Sequence, residues 1–543
     1  MRASRFCGPL LLAAIAACAS AQTPPSAAPD LLLVGGKVFT SDTTRPWAEA
    51  LAIRGDRILA VGSSAEVRAL ASPSSRVIDV GGRVVVPGFN DAHDHISGAA
   101  PGTFIASGAP MVDPMAVQLL DSIRAVAARV SAGSWIRSDL WVTALKDTLL
   151  RRPALDRVAP ANPVMMVMPT GHGVILNSAA MRALGISETE PDPLGGWYER
   201  DDGGRLTGRL DEYAGWRAIR AQRMTQPEST LVTSLRRYGE REARLGITSA
   251  QIMAHNMDAG VAVRTLSAAA LPVRIRVFRF SIPTASSLGV DQWSAAPTQP
   301  SPLLTVGGVK WILDGTPIEQ SASLRHAYAG RPGWHGRLNF PVDSMRVILA
   351  QSLRSSEPLA LHVAGDSTAI LVLGLMESLA PDSAWRRRRV RIEHGGASVH
   401  PDMWPRASSK GIVIVNNLPL LPPPAVSRSL PKVPLAAAFS KDMVMAFGSD
   451  GEPRSPFVGM RYALAFPYEP QVPRELLVLA YTLGSAYAEF EEGRKGSIEP
   501  GKLADVAVLS QDIFTVPIDE LTKTESVLTL VGGRIVWDAK VVR

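Results

Sequence analysis

Cysteine is almost missing from this chain, and its scarcity limits the chemistry that the chain can perform. The sequence has 543 residues but only two cysteines, Cys7 and Cys18, and both lie within the first 21 residues. The rest of the chain therefore has no disulfide and no thiolate metal ligand. A metal ion bound there must be held by histidine, by carboxylate or by a modified lysine.

A strong excess of one charge is also missing. The formal net charge of +7 is small for a protein of this length. The run of four arginines at residues 386–389 is the densest basic segment, but no aromatic residue lies within it to stack on bases. We interpret this run as a solvated helix end before the next strand, and we expect no nucleic-acid partner.

The first residues differ in composition from the rest. Arg2 and Arg5 precede the apolar stretch "PLLLAAIAACASA". This stretch is too short to span a bilayer comfortably, and it ends in small residues, as a secretory signal peptide does. We expect residues 1–21 to be removed by cleavage after Ala21, with residues 22–29 as a linker. Residues 15–18, "IAAC", resemble a bacterial lipobox, so a lipid anchor on Cys18 is the alternative. Cleavage after Ala21 and lipidation of Cys18 both predict an exported protein, either periplasmic or secreted.

The two ends of the remaining chain resemble each other. "LVGGKVF" at residues 33–39 is matched by "LVGGRIV" at residues 530–536, and "RGDR" lies between two apolar runs as a hairpin turn would. These short apolar segments predict one small β-sandwich domain built from residues 30–87 and 494–543.

Between the two ends lie eight short apolar segments that end in polar residues, as buried parallel strands do. They are "RVVVPGFND", "GITSAQIM", "LPVRIRVFRF", "GGVKWILDG", "PLALHVAGD", "RVRIEHGG", "GIVIVNN" and "MVMAFGSD". Helix-like stretches separate most of them, which predicts an α/β fold with a (β/α)₈ TIM barrel over residues 88–493. The gap after the first strand is too long for one loop, so we expect a large insertion at about residues 100–232.

Polar side chains follow several of these strands. In a barrel, side chains at the carboxyl ends of the strands converge on one site. Four histidines, one lysine and one aspartate occupy such positions: His93, His95, Lys310, His362, His394 and Asp450. Histidine and carboxylate are ligands that suit zinc or a similar divalent metal. Each residue alone would be read as a loop or packing residue, but the set predicts a metal site.

The same segments resemble the amidohydrolase superfamily, in particular its YtcJ-like or amidohydrolase 3 group. "VPGFNDAHDH", "TGHGVILNSAAM", "GITSAQ", "GVKWILDG", "LHVAGD", "RIEHGG", "FGSDGEP" and "KGSIEPGKLADVAVL" follow in the family's order over nearly all of residues 30–543. Any one of these motifs is weak, whereas their ordered series is specific.

The resemblance implies a role for each candidate. His93 and His95 would bind the more buried of two metal ions, and His362 and His394 would bind the second. Lys310, carboxylated on its amine, would bridge the ions; if it is unmodified, the site holds one metal. Asp450 would contact metal and act as the catalytic base. The cofactor would be zinc or a similar divalent metal, one or two ions per chain.

Other residues are expected near the site. His172 in the insertion is expected to reach the barrel mouth and touch substrate, or else to be a structural histidine in a turn. His255, just past the second strand, has the same two possible roles, and we interpret it as structural. Thr170 stands where the family usually has Asp, and "VIVNNLPLLPPP" lacks the usual Gln-Pro and His after the seventh strand. These departures affect the substrate class more than the mechanism.

These features predict a metal-dependent hydrolase that cleaves a carbon–nitrogen bond of the amide type, other than a peptide bond, in a small molecule. A lactone or cyclic amidine is the nearest alternative substrate. A non-catalytic binding protein on a degenerate barrel is a rival that the complete ligand set disfavours. A metal-independent glycosidase would need two facing carboxylates, and Glu393, directly before His394 on a strand, is expected to point away from the site.

Overall fold

The computed structural model describes residues 28–96, 100–105, 115–140, 149–168, 170–420, 435–439, 443–451, 453–465 and 472–543. The expected signal peptide and Cys18 lie outside these residues. The described part contains strands in four sheets. The strands are β1 (Leu31–Val34), β2 (Lys37–Phe39), β3 (Trp47–Ala48), β4 (Ala50–Arg54), β5 (Arg57–Gly62), β6 (Arg76–Asp79), β7 (Val84–Pro87), β8 (Phe89–Asp94), β9 (Thr103–Ile105), β10 (Ile136–Asp139), β11 (Val164–Val167), β12 (Gly173–Leu176), β13 (Gly196–Arg200), β14 (Leu206–Glu212), β15 (Ile247–Met253), β16 (Arg274–Arg279), β17 (Leu304–Ile312), β18 (Leu359–His362), β19 (Arg391–Glu393), β20 (Val413–Asn417), β21 (Val444–Gly448), β22 (Val506–Leu509), β23 (Ser526–Val531) and β24 (Arg534–Asp538).

The helices vary from one turn to several turns. They are α1 (Ser64–Arg68), α2 (Ala116–Ala127), α3 (Arg152–Val158), α4 (Ser178–Ala183), α5 (Tyr213–Arg223), α6 (Glu228–Arg244), α7 (Ala259–Ala269), α8 (Val342–Leu353), α9 (Asp366–Leu379), α10 (Asp382–Arg388), α11 (Gly395–Ser398), α12 (Trp404–Ser409), α13 (Leu435–Phe439), α14 (Pro456–Ala465), α15 (Arg474–Leu479) and α16 (Ser485–Tyr487). Within the described residues, no helix is both long and apolar enough to cross a bilayer.

Both ends of the chain build one sandwich. A four-stranded sheet in the order β5-β4-β1-β6 packs on a six-stranded sheet in the order β24-β23-β22-β7-β2-β3. Their facing side chains form one apolar core, which includes Leu33, Leu51, Val508 and Leu528. The prediction of one β domain made from both termini is confirmed.

The largest sheet is the predicted barrel. Its eight strands follow the order β21-β20-β19-β18-β17-β16-β15-β8, and every paired neighbour runs parallel. The first and last strands meet where the Asp450 N–H donates to the His93 carbonyl oxygen over 2.7 Å. The sheet is therefore nearly closed, and the carboxyl ends of its strands face one mouth.

The segment between β8 and β15 forms a cap beside this mouth. Its six-stranded sheet has the order β13-β14-β12-β11-β10-β9, and helices α5 and α6 lead back to the barrel. Arg220 on α5 donates to the carbonyl oxygens of Ala254, His255 and Phe280 at distances of 3.2, 3.0 and 2.8 Å. Because these carbonyls follow β15 and β16, this one guanidinium ties the cap to the barrel mouth.

Two local expectations were wrong. "RVVVPGFND" is not one strand, because the chain leaves the sandwich after Pro87 and enters the barrel at Phe89. The arginine run is only partly solvated, because Arg388 is buried and the Arg389 guanidinium lies 3.7 Å from the centre of the Tyr487 ring.

The matching "LVGG" segments both belong to the predicted terminal domain, but their glycines differ in local structure. Residues 532–533 form the hairpin between β23 and β24, whereas residues 35–36 carry the chain from one sheet to the other.

Candidate metal centre

The site begins at the seam where β8 and β21 meet. A side chain at Gly448 would come within 2.5 Å of the His93 backbone nitrogen, so only glycine permits this approach. Beyond it, the Ser449 N–H donates to Asp91 over 3.0 Å, and Asp450 adopts the left-handed backbone conformation with φ of 61°. This bend turns the Asp450 carboxylate back towards His93.

Three of the predicted residues meet at this point. The Oδ1 atom of Asp450 lies 2.9 Å from His95 Nε2 and 3.3 Å from His93 Nε2. One ligand atom from each of the three side chains lies within 4.8 Å of the other two. Two imidazole nitrogens and one carboxylate oxygen at this spacing can hold a divalent metal ion.

The far nitrogen of each imidazole already has a partner. His93 Nδ1–H donates to Glu393 over 2.5 Å, and His95 Nδ1–H donates to the Met253 carbonyl oxygen over 3.2 Å. These bonds fix the orientation of both rings, so that both Nε2 atoms face Asp450 and the position that a metal ion would occupy. Metal-binding histidines usually have such a carboxylate or carbonyl partner on the other nitrogen. The donor set therefore fits a metal ion.

The other predicted residues lie next to this group. The His394 ring is 5.2 Å from the His93 ring and 4.5 Å from the His362 ring, measured between centroids. His394 Nδ1 lies 3.9 Å from Asp450 Oδ2. His362 Nε2–H donates to the Gly315 carbonyl oxygen over 3.2 Å, which leaves its Nδ1 as the nitrogen with a free lone pair.

Lys310 is the predicted ligand whose polar atom lacks a hydrogen-bond partner in the described part of the chain. It is 1% exposed, and its Nζ has no hydrogen-bond partner among the residues that the structure describes. Burial lowers the pKa of Lys310 to about 8, although Glu393 and Asp450 act to raise it. A buried amine without a partner is costly, so this position is suited to a further ligand or to modification of the amine.

The charges of the site follow from its burial and its neighbours. Burial lowers the pKa of His394 to about 3 and holds that of His362 well below its usual range, so both imidazoles are neutral and able to bind metal. Burial acts against ionisation of Asp450, but His93 and His95 outweigh it and hold its pKa well below the usual value. The Asp450 carboxylate is therefore ionised and can accept a proton or bind a cation.

The cap supplies His172 at the mouth. The His172 ring lies 4.7 Å from the His362 ring, and its Nδ1–H donates to Glu212 over 3.0 Å. Thr170, which precedes it, donates from its hydroxyl to Glu319 over 2.6 Å. The structure thus brings His172 to the other candidates, with its Nε2 as the atom left free to face a substrate.

One residue near the site was misjudged from the sequence. Glu393 points into the site rather than away from it, because β19 ends at Glu393 and His394 takes a left-handed conformation with φ of 62°. This turn breaks the alternation of side chains on which the expectation rested. The His255 ring lies 4.5 Å from the His95 ring, so His255 borders the site, and its interpretation as structural stays a prediction. Its position after β15, a barrel strand, was the signal that could have placed it here.

Comparison with known proteins matches this arrangement to one family. The amidohydrolase family model matches residues 76–537. The chain is 26% identical to the N-substituted formamide deformylase of Arthrobacter pascens, over 93% of this chain and 97% of that protein. It is 25% identical to the putative amidohydrolase YtcJ of Bacillus subtilis, over 93% and 98% of the two chains.

A solved structure has the same fold. An uncharacterised metal-dependent hydrolase from Pyrococcus horikoshii superposes with a TM-score of 0.67 at 17% identity, covering 90% of this chain and 99% of that chain. The resemblance that the sequence motifs predicted is therefore confirmed, and so is the α/β barrel with its terminal sheet domain.

Proposed function

Because this chain belongs to the amidohydrolase family, we propose that it hydrolyses a carbon–nitrogen bond of the amide type, other than a peptide bond, in a small molecule. The observation that carries the proposal is the contact of His93 and His95 with Asp450 at the barrel mouth. The similarity to a formamide deformylase supports an N-formyl or other N-acyl substrate.

The metal is proposed to be zinc or a similar divalent ion. His93, His95 and Asp450 would hold one ion, and Lys310, His362 and His394 would hold a second one or complete a single site. Such an ion lowers the pKa of water towards neutrality and polarises the carbonyl group that is attacked. Both effects are needed for hydrolysis of an amide near neutral pH.

Asp450 is proposed as the catalytic base. Its ionised carboxylate accepts a proton from the attacking water and returns a proton to the leaving amine when the carbon–nitrogen bond breaks. The left-handed backbone at Asp450 holds the carboxylate between the two histidines, so no large rearrangement is required between the two transfers. His172 is proposed to hold the substrate with Nε2, because Glu212 occupies its Nδ1.

Lys310 is proposed to react with carbon dioxide. The neutral amine adds to the carbon atom and loses a proton, which leaves a carbamate with two oxygen ligands. The support is the burial of an amine without a partner among the described residues, together with its lowered pKa of about 8. The carbamate would then share its oxygens between two metal ions.

Metal analysis combined with three variants tests the proposal. Protein reconstituted with zinc and bicarbonate is expected to bind close to two equivalents by elemental analysis, and Lys310→Met is expected to bind at most one. His93→Ala and Asp450→Asn are expected to lower hydrolysis of N-formyl and N-acyl amines at least about 10³-fold, because a metal ligand or the base is lost.

The matched control is His326→Ala, which removes an exposed histidine in the connection between β17 and β18. It is expected to keep the activity and metal content of the unmodified protein. Hydrolysis that survives undiminished in folded His93→Ala or Asp450→Asn protein would remove the mechanism. A protein that takes up no zinc or other divalent metal under any of these conditions would remove the metal site itself.

A further inference from the structure

The interior of the barrel contains a connected row of polar side chains below the metal centre. Barrel interiors are usually filled by layers of apolar side chains. Here Asn90, Gln251, Arg391 and Glu393 are all buried, at 2%, 0%, 0% and 0% exposure, and they come from three different strands. The row ends at His93, so it connects the barrel interior to a proposed metal ligand.

Arg391 is the centre of this row. Its Nε–H donates to Glu393 Oε1 over 2.8 Å, and its second terminal nitrogen donates to Glu393 Oε2 over 3.2 Å and to the Ala92 carbonyl oxygen over 2.6 Å. The remaining terminal nitrogen donates to Gln251. Because the guanidinium is planar, these four bonds fix the plane of the Glu393 carboxylate.

Gln251 in turn is held on its other side. Its amide Nε2 donates to the Ser485 carbonyl oxygen over 3.0 Å and to Asn90 over 3.3 Å. The Asn90 amide donates to Glu489 over 2.8 Å. The orientation of Gln251 is therefore set from below the barrel, independently of the residues at the mouth.

We propose that Arg391 and Gln251 are positioning residues for the metal centre. They align the Glu393 carboxylate, which accepts the Nδ1 proton of His93 and so directs the His93 Nε2 lone pair at the metal position. This inference rests on the proposed function, because it requires His93 to be a metal ligand.

The free-energy cost of burying these charged side chains supports a role in aligning His93. A buried ion pair is often no more stable than an apolar filling of the same volume. Arg391 and Glu393 occupy the space that apolar layers fill in other barrels, and the Arg391 guanidinium lies 4.7 Å from the centre of the Phe278 ring. Stability alone therefore does not explain the pair, whereas alignment of His93 does.

The test compares metal affinity in Glu393→Gln and in a control that loses a similar pair elsewhere. Asp505→Asn is the control, because Asp505 is 5% exposed and binds the Arg274 guanidinium through both oxygens, at 2.7 and 3.0 Å. Dissociation constants for zinc are measured by competition with a chelating indicator, and the absorption of cobalt-loaded protein reports ligand geometry. Glu393→Gln is expected to weaken zinc binding by about 10- to 100-fold and to change the cobalt spectrum. Asp505→Asn is expected to bind as the unmodified protein does.

Equal zinc affinity in folded Glu393→Gln and in unmodified protein would overturn the inference. If Glu393→Gln does not fold, Gln251→Met decides, since it removes the acceptor that aligns Arg391 together with the amide that bonds to Ser485 and Asn90; we expect roughly threefold to tenfold weaker binding, and unchanged binding would overturn the inference. Unmodified protein that binds neither zinc nor cobalt would instead overturn the proposed function, before any variant is compared.

Discussion

At the scale of single residues, most of the histidines lie together at the barrel mouth. The chain has nine, and six of them form a continuous series of ring contacts: His255, His95, His93, His394, His362 and His172. Rings this close cannot all carry protons, because like charges repel. Burial, with neighbouring histidines adding to it, holds the pKa values of His362 and His255 well below the usual range. These two imidazoles are therefore neutral and keep a lone pair that a metal ion or a hydrogen-bond donor can use.

Glu242 gives a prediction at this scale. It lies on the buried face of α6, is 0% exposed, and neither carboxylate oxygen accepts a hydrogen bond from the described residues; the Arg241 guanidinium is 3.7 Å away. Burial, and then Asp94, raise its pKa well above 4.5. The folded state therefore keeps a proton that the unfolded state releases above pH 4.5. Stability is lost as the pH rises through this window, by up to about 1.4 kcal/mol per pH unit.

Glu242→Gln is expected to remove this loss, because the amide has no proton to release. The free energy of unfolding in urea, measured from pH 5 to pH 8, should fall less steeply for Glu242→Gln than for the unmodified protein. Glu240→Gln, an exposed neighbour on the same helix, is the control and should keep the original slope. Identical slopes for the unmodified protein and Glu242→Gln would contradict the assignment.

At the scale of elements, the strands could be predicted and the turns could not. Each barrel strand is a short apolar run that ends in a polar residue, so the periodicity of the sequence predicts both the strand and the place of His93 or His362 at its end. The left-handed conformations of His394 and Asp450 have no such signal, since non-glycine residues rarely adopt them. The direction of Glu393 depends on one of these turns, which is why the sequence misplaced it.

Gly448 gives a prediction at this scale. A Cβ atom there would lie 2.5 to 2.8 Å from backbone and Cβ atoms of His93, so Gly448→Ala must push β21 away from β8. We expect a loss of about 1–3 kcal/mol in the free energy of unfolding and weaker zinc binding, measured by urea unfolding and by metal competition. The control is Gly493→Ala, where a Cβ atom would meet nothing within 4 Å. Gly448→Ala that matches this control in both measurements would contradict the close approach.

At the scale of the whole molecule, the division into sandwich, barrel and cap could be outlined from the sequence because each part has its own pattern. The repeated "LVGG" segments indicated the shared terminal domain, and the long gap after the first barrel strand indicated an insertion. The cap itself could not be derived, since its sheet mixes parallel and antiparallel pairs and nothing in one sequence specifies which strands pair. Its contacts at the mouth, such as His172 with Glu212, followed only from the structure.

Export is a prediction for the whole chain. The first 21 residues have the charge and apolar pattern of a signal peptide, so we propose that the mature protein is periplasmic or secreted and begins at Gln22. Expression of the full chain in a Gram-negative host, followed by fractionation and mass spectrometry of the intact protein, checks this.

A mature chain that begins with a lipidated Cys18 would indicate a membrane-anchored form, and Cys18→Ala should abolish that form while leaving cleavage after Ala21 intact. A cytoplasmic chain that retains Met1 would contradict export altogether.

The six-stranded sheet of the sandwich contains strands from both ends of the chain, and this determines when the domain can finish folding. Strand β7 pairs with β22, so that Pro87 lies opposite Val506, and β22 is synthesised only after the whole barrel. Until β22 is made, the edge of β7 that pairs with it stays open. The barrel strand β8 follows β7 directly, so the barrel can begin to form while that edge is still unpaired. Domains that fold as they emerge begin at the amino end, but this one cannot be completed until its last strands arrive. The sandwich is therefore the last part of the chain to be completed. For the export proposed above, this would leave the terminal domain incomplete while the chain passes through a membrane channel.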